Sequence, residues 1–183
     1  AAINCGFFTG ASNEHTTLLI ANGLYYNPPS INTADFIYYK DGRTEVTNLH
    51  GYDQVKLSQL QRDCHFAIGT SYALVINSNK NLMLAEKFSH SATKQPRTML
   101  GQKADGTMVL VVTDGRVKDS YGLTANEQAD FMLSLGCINA VNLDGGGSST
   151  MVVVRAGGTP IVYNELYEGY ERPVGSVIIV KEA

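Results

Sequence analysis

Short apolar runs separated by turn residues dominate the hydrophobic pattern of the chain. The runs "TMVLVVT" (107–113) and "INAVNL" (138–143) have the length and the apolar side chains of buried strands. In "DFIYYKDGRTEV" (35–46) an Asp-Gly pair joins two such runs, which is typical of a hairpin. The Ala-Asp-Gly turn at 104–106 and the segment "MVVVRAGGTPIVYN" (151–164) are interpreted in the same way. The pattern therefore predicts a strand-rich fold with several hairpins.

The strand pattern extends towards both ends of the chain. It predicts a strand in "AAINCGFF" (1–8), two or three strands in 65–86, and a closing strand in "RPVGSVIIVKE" (172–182). Residues 9–35 are rich in Asn, Thr, Ser, Gly and Pro, and we expect a loop there.

One segment has strong helix signals. "TANEQADFMLSLG" (124–136) offers Thr124 as N-cap, Glu127 as its capping-box partner and Gly136 as the residue after the C-cap. A second segment, "VKLSQLQRDC" (55–64), is consistent with a short helix or a loop. The predicted fold class is therefore α+β. We expect a single domain over 1–183, built from a twisted, mostly antiparallel or mixed sheet and two or three helices.

Composition narrows the possible partners. Hydrophobic residues make up 44% of the chain, which indicates a folded domain, and the net charge of −3 argues against a nucleic-acid partner. No apolar run is long enough for a membrane span. The cysteines Cys5, Cys64 and Cys137 lack metal spacing and are expected to be small buried hydrophobes, although a pair such as Cys5–Cys137 stays open.

The run "NLDGGGSSTM" (142–151) places three consecutive glycines between an acid and three hydroxyl residues. Three glycines beside a strand cost backbone entropy, so a bare backbone must be needed there. Converging N–H groups and hydroxyls suit a phosphate or a cluster of sugar hydroxyls. The spacing differs from that of a P-loop, a dinucleotide fingerprint or a nucleophile elbow. A binding role is favoured over a plain turn between two strands.

Charged residues near strand ends are the candidates for chemistry. Asp144 has three interpretations: a turn cap, a metal ligand or a catalytic carboxylate. Asp114 in "VVTDGR" and Glu171 in "YERPVG" are further acids, for which an ordinary turn and a surface ion pair are the plainer explanations. Arg97 offers a planar fork that suits phosphate. The histidines show no metal spacing, and His90 is near enough in sequence to reach the same cleft as Arg97.

Five stretches, taken in order, resemble the phosphodiester glycosidase family. They are "AINCGFF", "PRTMLG", "TDGR", "LGCINAVNLDGGGSSTM" and "ERPVG", and they are spread over nearly the whole chain. The run "NLDGGGSSTM" is the most specific of them. The chain departs from the family pattern at Cys5, where a second glycine is usual. It departs again in "NELYEG" (164–169), where the family often has a proline nearby.

The resemblance can be carried over residue by residue. The residues that match the family's motifs are Asn4, Gly6, Phe7, Arg97, Thr98, Asp114, Arg116, Asn142, Asp144, Gly145, Gly146, Gly147, Ser148, Ser149, Thr150, Glu171 and Arg172. Family members also carry sequence before the opening motif, so we expect a chain trimmed at its N-terminus.

The resemblance implies a hydrolase that cleaves between a sugar's anomeric carbon and a phosphodiester oxygen. It implies a carbohydrate partner, no required cofactor, and an extracytoplasmic or secreted location. The catalytic carboxylate acts as nucleophile or as base for water. Asp144 is the first candidate for this role, Glu171 is the second and Asp114 is the third. The implied substrate and phosphate ligands are Asn4, Arg97, Thr98, Asn142, Gly145, Gly146, Gly147, Ser148, Ser149, Thr150 and Arg172. The sugar, the aglycone, the stereochemical outcome and the oligomeric state stay open.

Two other functions compete with this hypothesis. In a metal-dependent phosphodiesterase, Asp144 and Asp114 would hold Mg²⁺ or Ca²⁺ and water would attack phosphorus. In a non-catalytic module, the same stretch would bind a sugar phosphate or a glycan without turnover. A single spatial expectation accompanies the site prediction, that Asn4, Arg97, Asp114, Asp144 and Glu171 line one cleft.

Overall fold

The computed structural model describes residues 1–10, 12, 14–155 and 157–181, and this part forms three antiparallel sheets and two α-helices. The strands in chain order are β1 (Ala2–Asn4), β2 (Leu19–Ala21), β3 (Leu24–Asn27), β4 (Ala34–Tyr39), β5 (Thr44–Thr47), β6 (Cys64–Thr70), β7 (Tyr72–Ile76), β8 (Asn79–Lys80), β9 (Arg97–Lys103), β10 (Met108–Thr113), β11 (Cys137–Asn142), β12 (Met151–Val153), β13 (Ile161–Val162) and β14 (Val177–Ile179). The helices are α1 (Gln54–Asp63) and α2 (Ala125–Ser134). The predicted strand-rich, largely antiparallel character is confirmed, and the strands divide among three sheets.

The β11 sheet has the order β10-β9-β11-β7-β8. Its β9–β10 hairpin turns at Gly106, whose φ of +88° suits the glycine of the predicted Asp-Gly turn. Strand β11 lies between β9 and β7 and carries the predicted run "INAVNL". This sheet therefore places the beginning of β9, where Arg97 lies, beside the end of β11.

The β6 sheet has the order β3-β2-β6-β4-β5 and corrects the expectation of a loop over 9–35. Strands β2 and β3 are joined by Asn22 and Gly23, whose φ values are +52° and +74°. Positive φ at both central residues is the geometry of the tight turn that Asn-Gly favours between strands. The loop prediction was wrong because the polar and Pro-rich surroundings outweighed this local hairpin signal.

The β1 sheet has the order β13-β12-β1-β14, so the first strand of the chain pairs with two strands from its last third. Ala2 lies opposite Val152 on one side and opposite Ile179 on the other. The predicted hairpin over 151–164 and the predicted closing strand are both present.

Helix α2 covers one face of the β11 sheet. The Thr124 hydroxyl accepts a hydrogen bond from the Glu127 N–H, and the Glu127 carboxylate accepts one from the Thr124 N–H, so the predicted capping box is confirmed. Gly136, with a φ of +83°, follows the C-cap as expected. The helix packs Ala129 and Met132 among buried side chains of β7, β9 and β11.

Alternation along the strands separates two layers of core. Leu100 and Val141 point into a cluster with Phe36 of the β6 sheet and Ile3 of the β1 sheet, whereas Met99 faces α2 on the other side. One core cluster therefore joins all three sheets and fixes β1 beside the end of β11.

The cysteines agree with the expectation of small buried hydrophobes. Cys5, Cys64 and Cys137 are buried thiols, and no disulfide joins them in the described part of the chain. Burial raises the pKa of the Cys5 thiol to about 11. Over the same residues, neither helix has the length and apolar character needed to cross a membrane.

Candidate functional site

The ends of strands β1 and β11 lie next to each other. The Asp144 N–H donates to the Cys5 carbonyl at 2.9 Å, and the Asn4 side-chain amide donates to the Asp144 carbonyl at 2.6 Å. The Asn4 amide oxygen accepts hydrogen bonds from the Thr98 hydroxyl at 2.6 Å and from the Thr150 N–H at 3.1 Å. Asn4 is 3% exposed, so its buried side chain connects the two ends of the glycine stretch through these hydrogen bonds.

The first two glycines of the stretch approach the backbone just before Arg97. A Cβ added to Gly145 would lie 2.9 Å from the Pro96 carbonyl oxygen, which leaves no room for a side chain. The Gly146 N–H donates to that same carbonyl at 3.0 Å, and Gly146 has a φ of +62°. The bare backbone is therefore needed for the close contact between the glycine stretch and the start of β9.

The third glycine meets an ion pair. A Cβ on Gly147 would overlap the guanidinium of Arg172 and the carboxylate of Glu168, which pair with each other. The Arg172 Nε donates to the Glu168 carboxylate at 3.1 Å. Gly147 therefore lets a charged pair pack directly on the site.

A pocket of about 210 Å³ lies between the glycine stretch and the start of β9. Its lining residues are Phe7, His90, Gln95, Arg97, Arg116, Asp144, Gly145 and Gly146. An adjoining cleft of about 510 Å³ is lined by Phe7, Phe8, Gly10, Asp144, Arg172 and Pro173. Asp144 and Phe7 are common to both, so Asp144 lies where the two spaces meet.

Backbone carbonyls hold Arg97 in place. Its Nε donates to the Leu123 carbonyl at 2.8 Å, and its Nη2 donates to the carbonyls of His90 at 2.7 Å and Thr93 at 2.9 Å. Arg97 is 1% exposed, and in the described part of the chain it forms no ion pair with a carboxylate. Burial lowers its pKa, yet a guanidinium stays charged in a protein. Arg97 thus supplies a fixed, uncompensated positive charge that suits an anion.

The pKa values of two titratable groups in the pocket differ from their usual values. Burial raises the pKa of Asp144, and the nearby Ser148 hydroxyl, the Gly145 N–H and the Arg172 charge offset part of that rise. Burial, together with the charges of Arg97 and Arg116, lowers the pKa of His90. The pocket therefore favours a neutral imidazole and places the titration of Asp144 above the usual range of a carboxyl group.

The two serines of the stretch are buried behind the pocket. Ser148 is 0% and Ser149 is 3% exposed, and neither hydroxyl oxygen has a partner at regular hydrogen-bond geometry among the described residues. The Ser148 hydroxyl is nevertheless near enough to the Asp144 carboxyl to favour its charged form. Neither serine lines the pocket or the adjoining cleft, so the structure does not place these two predicted ligands in either space.

Several sequence-predicted residues lie outside the pocket. The Asp114 carboxylate accepts a hydrogen bond from the Glu165 N–H at 2.9 Å and lines neither space, and Glu171 is exposed beside a separate cavity. Asn142 belongs to the core, where its amide oxygen accepts from the Gln128 amide at 2.6 Å. The structure therefore brings Arg97 and Asp144 together, with Asn4 directly behind them, and does not bring Asp114 or Glu171 to the same pocket.

The pocket also includes residues that were not proposed as ligands from the sequence. Phe7 and Arg116 lie in the matched motifs "AINCGFF" and "TDGR", which was the available signal for them. His90 does reach the pocket of Arg97, as its sequence position suggested. Gln95 carried no signal beyond its place two residues before Arg97.

The donor set for a cation is sparse. Across the described ranges, no group of three or more His, Cys, Asp or Glu side chains is arranged to hold a metal ion. Asp144 and Asp114, the ligands of the metal hypothesis, do not line a common space.

Comparison with known proteins gives a match over almost the whole chain. A family model for phosphodiester glycosidases matches residues 1–181. The chain is 34% identical over 145 residues to the SPbeta prophage-derived uncharacterized protein YomE of Bacillus subtilis, covering 79% of this chain and 21% of that protein. It is 28% identical over 165 residues to the mouse N-acetylglucosamine-1-phosphodiester alpha-N-acetylglucosaminidase, covering 83% of this chain and 31% of the mouse protein.

Solved structures share the fold. The catalytic domain of the zebrafish N-acetylglucosamine-1-phosphodiester alpha-N-acetylglucosaminidase aligns with a TM-score of 0.65 at 24% identity, covering 81% of this chain and 52% of that one. A hypothetical protein from Synechocystis aligns with a TM-score of 0.72 at 13% identity, covering 96% of this chain and 50% of that one. The chain thus spans less than two thirds of each of these relatives.

Proposed function

The chain belongs to the phosphodiester glycosidase family, and from that premise we propose that it hydrolyses the bond between a sugar's anomeric carbon and a phosphodiester oxygen. The observation that carries the proposal is the shared pocket of Arg97 and Asp144. It combines a fixed positive charge for the phosphate with a carboxyl group for the anomeric carbon.

The phosphate half of the substrate fits the side of the pocket formed by Arg97, Arg116 and the glycine backbone. Arg97 needs no reorganisation to meet an anion, because three carbonyl contacts already fix its guanidinium. Charge that develops on the departing phosphate oxygen is stabilised by such a preorganised donor. The phosphate monoester that departs is a good leaving group, so electrostatic stabilisation replaces much of the work of a general acid.

The carboxylate of Asp144 acts on the sugar half. As the bond between the anomeric carbon and the phosphate oxygen breaks, its electron pair leaves with the phosphate and positive charge develops on the sugar. Ionised Asp144 then either attacks the anomeric carbon, forming a glycosyl ester that water hydrolyses in a second step, or takes the proton of a water that attacks the anomeric carbon directly. The products are the free sugar and a phosphate monoester. Asp114 and Glu171 are less suited to this role because neither lines the pocket.

The test compares Asp144→Asn with wild type on a panel of sugar-1-phosphodiesters. Asn keeps the size and the turn-forming capacity of Asp but removes the charge. We expect an unchanged melting temperature and turnover lower by about 10²-fold or more. Asp105→Asn is the matched control, because Asp105 also precedes a glycine in a turn, lies outside the pocket and should leave turnover unchanged. Normal turnover by a folded Asp144→Asn protein would refute the role of Asp144.

Isotope labelling separates the proposal from the metal-dependent alternative. Hydrolysis in ¹⁸O-labelled water puts the label on the sugar if water attacks the anomeric carbon, and on the phosphate if water attacks phosphorus. The proposal requires label on the sugar and turnover that survives a chelator. If no sugar-1-phosphodiester is turned over but one binds, the non-catalytic module is favoured.

A further inference from the structure

Arg116 is the second arginine of the pocket, and its surroundings are unusual. Its guanidinium lies over the ring of Tyr167, 5.0 Å from the ring centre, and its backbone φ is +57°. Such a φ is uncommon for a residue other than glycine and persists only where the surrounding structure enforces it. We propose that Tyr167 positions the Arg116 guanidinium as a second ligand for the substrate's phosphate group, an assignment that rests on the proposed function.

The turn that carries Arg116 is fixed from two sides. A Cβ on Gly115 would lie 2.5 Å from the Pro96 nitrogen, so this turn packs directly on the backbone that precedes Arg97. The Ser120 hydroxyl donates to the Asp114 carbonyl at 2.8 Å and closes the turn from the other side. The turn therefore fixes the position of the Arg116 backbone. The direction of the Arg116 side chain depends on the contacts that the side chain itself makes.

The segment that carries Tyr167 is attached to the same turn. The Asp114 carboxylate accepts a hydrogen bond from the Glu165 N–H at 2.9 Å. The Asn164 side chain accepts from the Met151 N–H at 2.7 Å and donates to the Ser149 carbonyl at 3.0 Å. The start of the segment, at residues 164 and 165, is thereby attached to both the Arg116 turn and the glycine stretch. This attachment also gives Asp114 a structural role.

The charge around Arg116 favours an anion. Burial lowers the pKa of both His90 and Arg97, and the positive charge of Arg116 lowers both further, so the two guanidinium groups lie near each other. Within the described residues, Arg116 forms no ion pair with a carboxylate. The carboxylate of Glu168 is near enough to be affected: its pKa is lowered chiefly by its hydrogen bond with Arg172 and also by the charge of Arg116, but Glu168 is already paired with Arg172. Two adjacent cations repel each other unless an anion lies between them, and a guanidinium fork suits phosphate oxygens. Stacking on an aromatic face keeps the guanidinium extended towards that anion.

The first measurement needs no catalytic activity. Arginine side-chain NMR reports the ring-current shift that Tyr167 imposes on the Arg116 Nε–H, and titration with inorganic phosphate gives a dissociation constant. We expect Tyr167→Ala to abolish the ring-current shift and to weaken phosphate binding about 2- to 5-fold. Tyr167→Phe retains an aromatic face and should restore both properties. Tyr163→Ala, which removes another exposed tyrosine of the same region, is the control and should change neither.

A second variant separates binding from folding. Arg116→Gly relieves the positive φ, so its melting temperature should not fall, whereas its phosphate affinity should fall about 10-fold or more because a charge-assisted contact is lost. A purely structural Arg116 would give a lower melting temperature instead.

The outcomes distinguish this inference from the proposed function. Phosphate binding by Tyr167→Ala equal to that of wild type, or loss of binding in Tyr167→Phe, would overturn the positioning role of Tyr167. Absence of phosphate binding by the wild-type protein would overturn the anion site itself. If the expected binding pattern holds but no sugar-1-phosphodiester is hydrolysed, the proposed function fails and the phosphate ligand role of Arg116 stands.

Discussion

Asp35 offers a test of how burial controls the stability of this fold. The residue lies in β4 and is 0% exposed. One oxygen of its carboxyl accepts a hydrogen bond from the Leu49 N–H at 2.7 Å, and the other has no partner in the described part of the chain. Burial raises its pKa from 3.8 to about 7, and the hydrogen bond from Leu49 offsets only part of that rise.

The direction in which pH changes the stability depends on whether the folded or the unfolded chain keeps the Asp35 proton. Between the unfolded pKa near 3.8 and the folded pKa near 7, the unfolded chain loses the Asp35 proton while the folded protein keeps it. Rising pH therefore favours the unfolded chain, by about 1.4 kcal/mol for each pH unit and about 4 kcal/mol in total. The stabilising contribution is complete below the unfolded pKa and is lost by the time the pH passes the folded pKa.

The assay is urea unfolding of wild type and Asp35→Asn from about pH 5 to about pH 8. Asn cannot ionise, and its amide oxygen can still accept from the Leu49 N–H. Histidines titrate alike in both proteins, so the difference between the two unfolding free energies isolates Asp35. We expect that difference to move in favour of Asp35→Asn by about 3 kcal/mol across this interval. Parallel pH profiles for the two proteins would refute the reasoning.

Three further predictions address the helix, the glycine stretch and the pocket. Thr124→Ala removes the capping box of α2 and should lower the unfolding free energy by about 1 kcal/mol in urea, whereas Thr124→Ser should restore it. Gly145→Ala forces a Cβ against the Pro96 carbonyl, so both melting temperature and turnover should fall; a variant with normal turnover would show that the close contact is dispensable. Because burial raises the pKa of Asp144, kcat/KM should decline with falling pH through a pKa above the ordinary 3.8, and a profile flat down to about pH 4 would contradict a role for ionised Asp144.

Local signals predicted the local elements well. The Thr124–Glu127 capping box, and the Asp-Gly turns of the β4–β5 and β9–β10 hairpins, depend on residues close together in sequence. The Asn22-Gly23 hairpin had an equally local signal, which the composition of the surrounding segment obscured. The division into three sheets could not be predicted, because it depends on pairings such as Ala2 with Ile179.

The same distinction applies to the candidate site. The glycine stretch and its acid pointed to Asp144, and the residue type and position of Arg97 pointed to an anion. Strand ends alone do not say which edge of which sheet a residue occupies, so sequence reasoning could not separate Asp144 from Asp114 or Glu171. The contact of Arg116 with Tyr167 joins two loops and leaves no periodic pattern in the sequence.

The position of β1 between β12 and β14 has a consequence for biosynthesis. Asn4 contacts residues 140 and 146 positions further along the chain, and β1 completes its pairing only with Val177–Ile179. A ribosome releases the first strand long before its partners exist, so β1 must wait unpaired while the intervening hairpins form. The hydrogen bonds of Asn4 with Asp144 and Thr150 are consequently among the last contacts that residues 1–181 can form during synthesis. A polypeptide interrupted before β12 could contain much of the β6 and β11 sheets and still have no pocket.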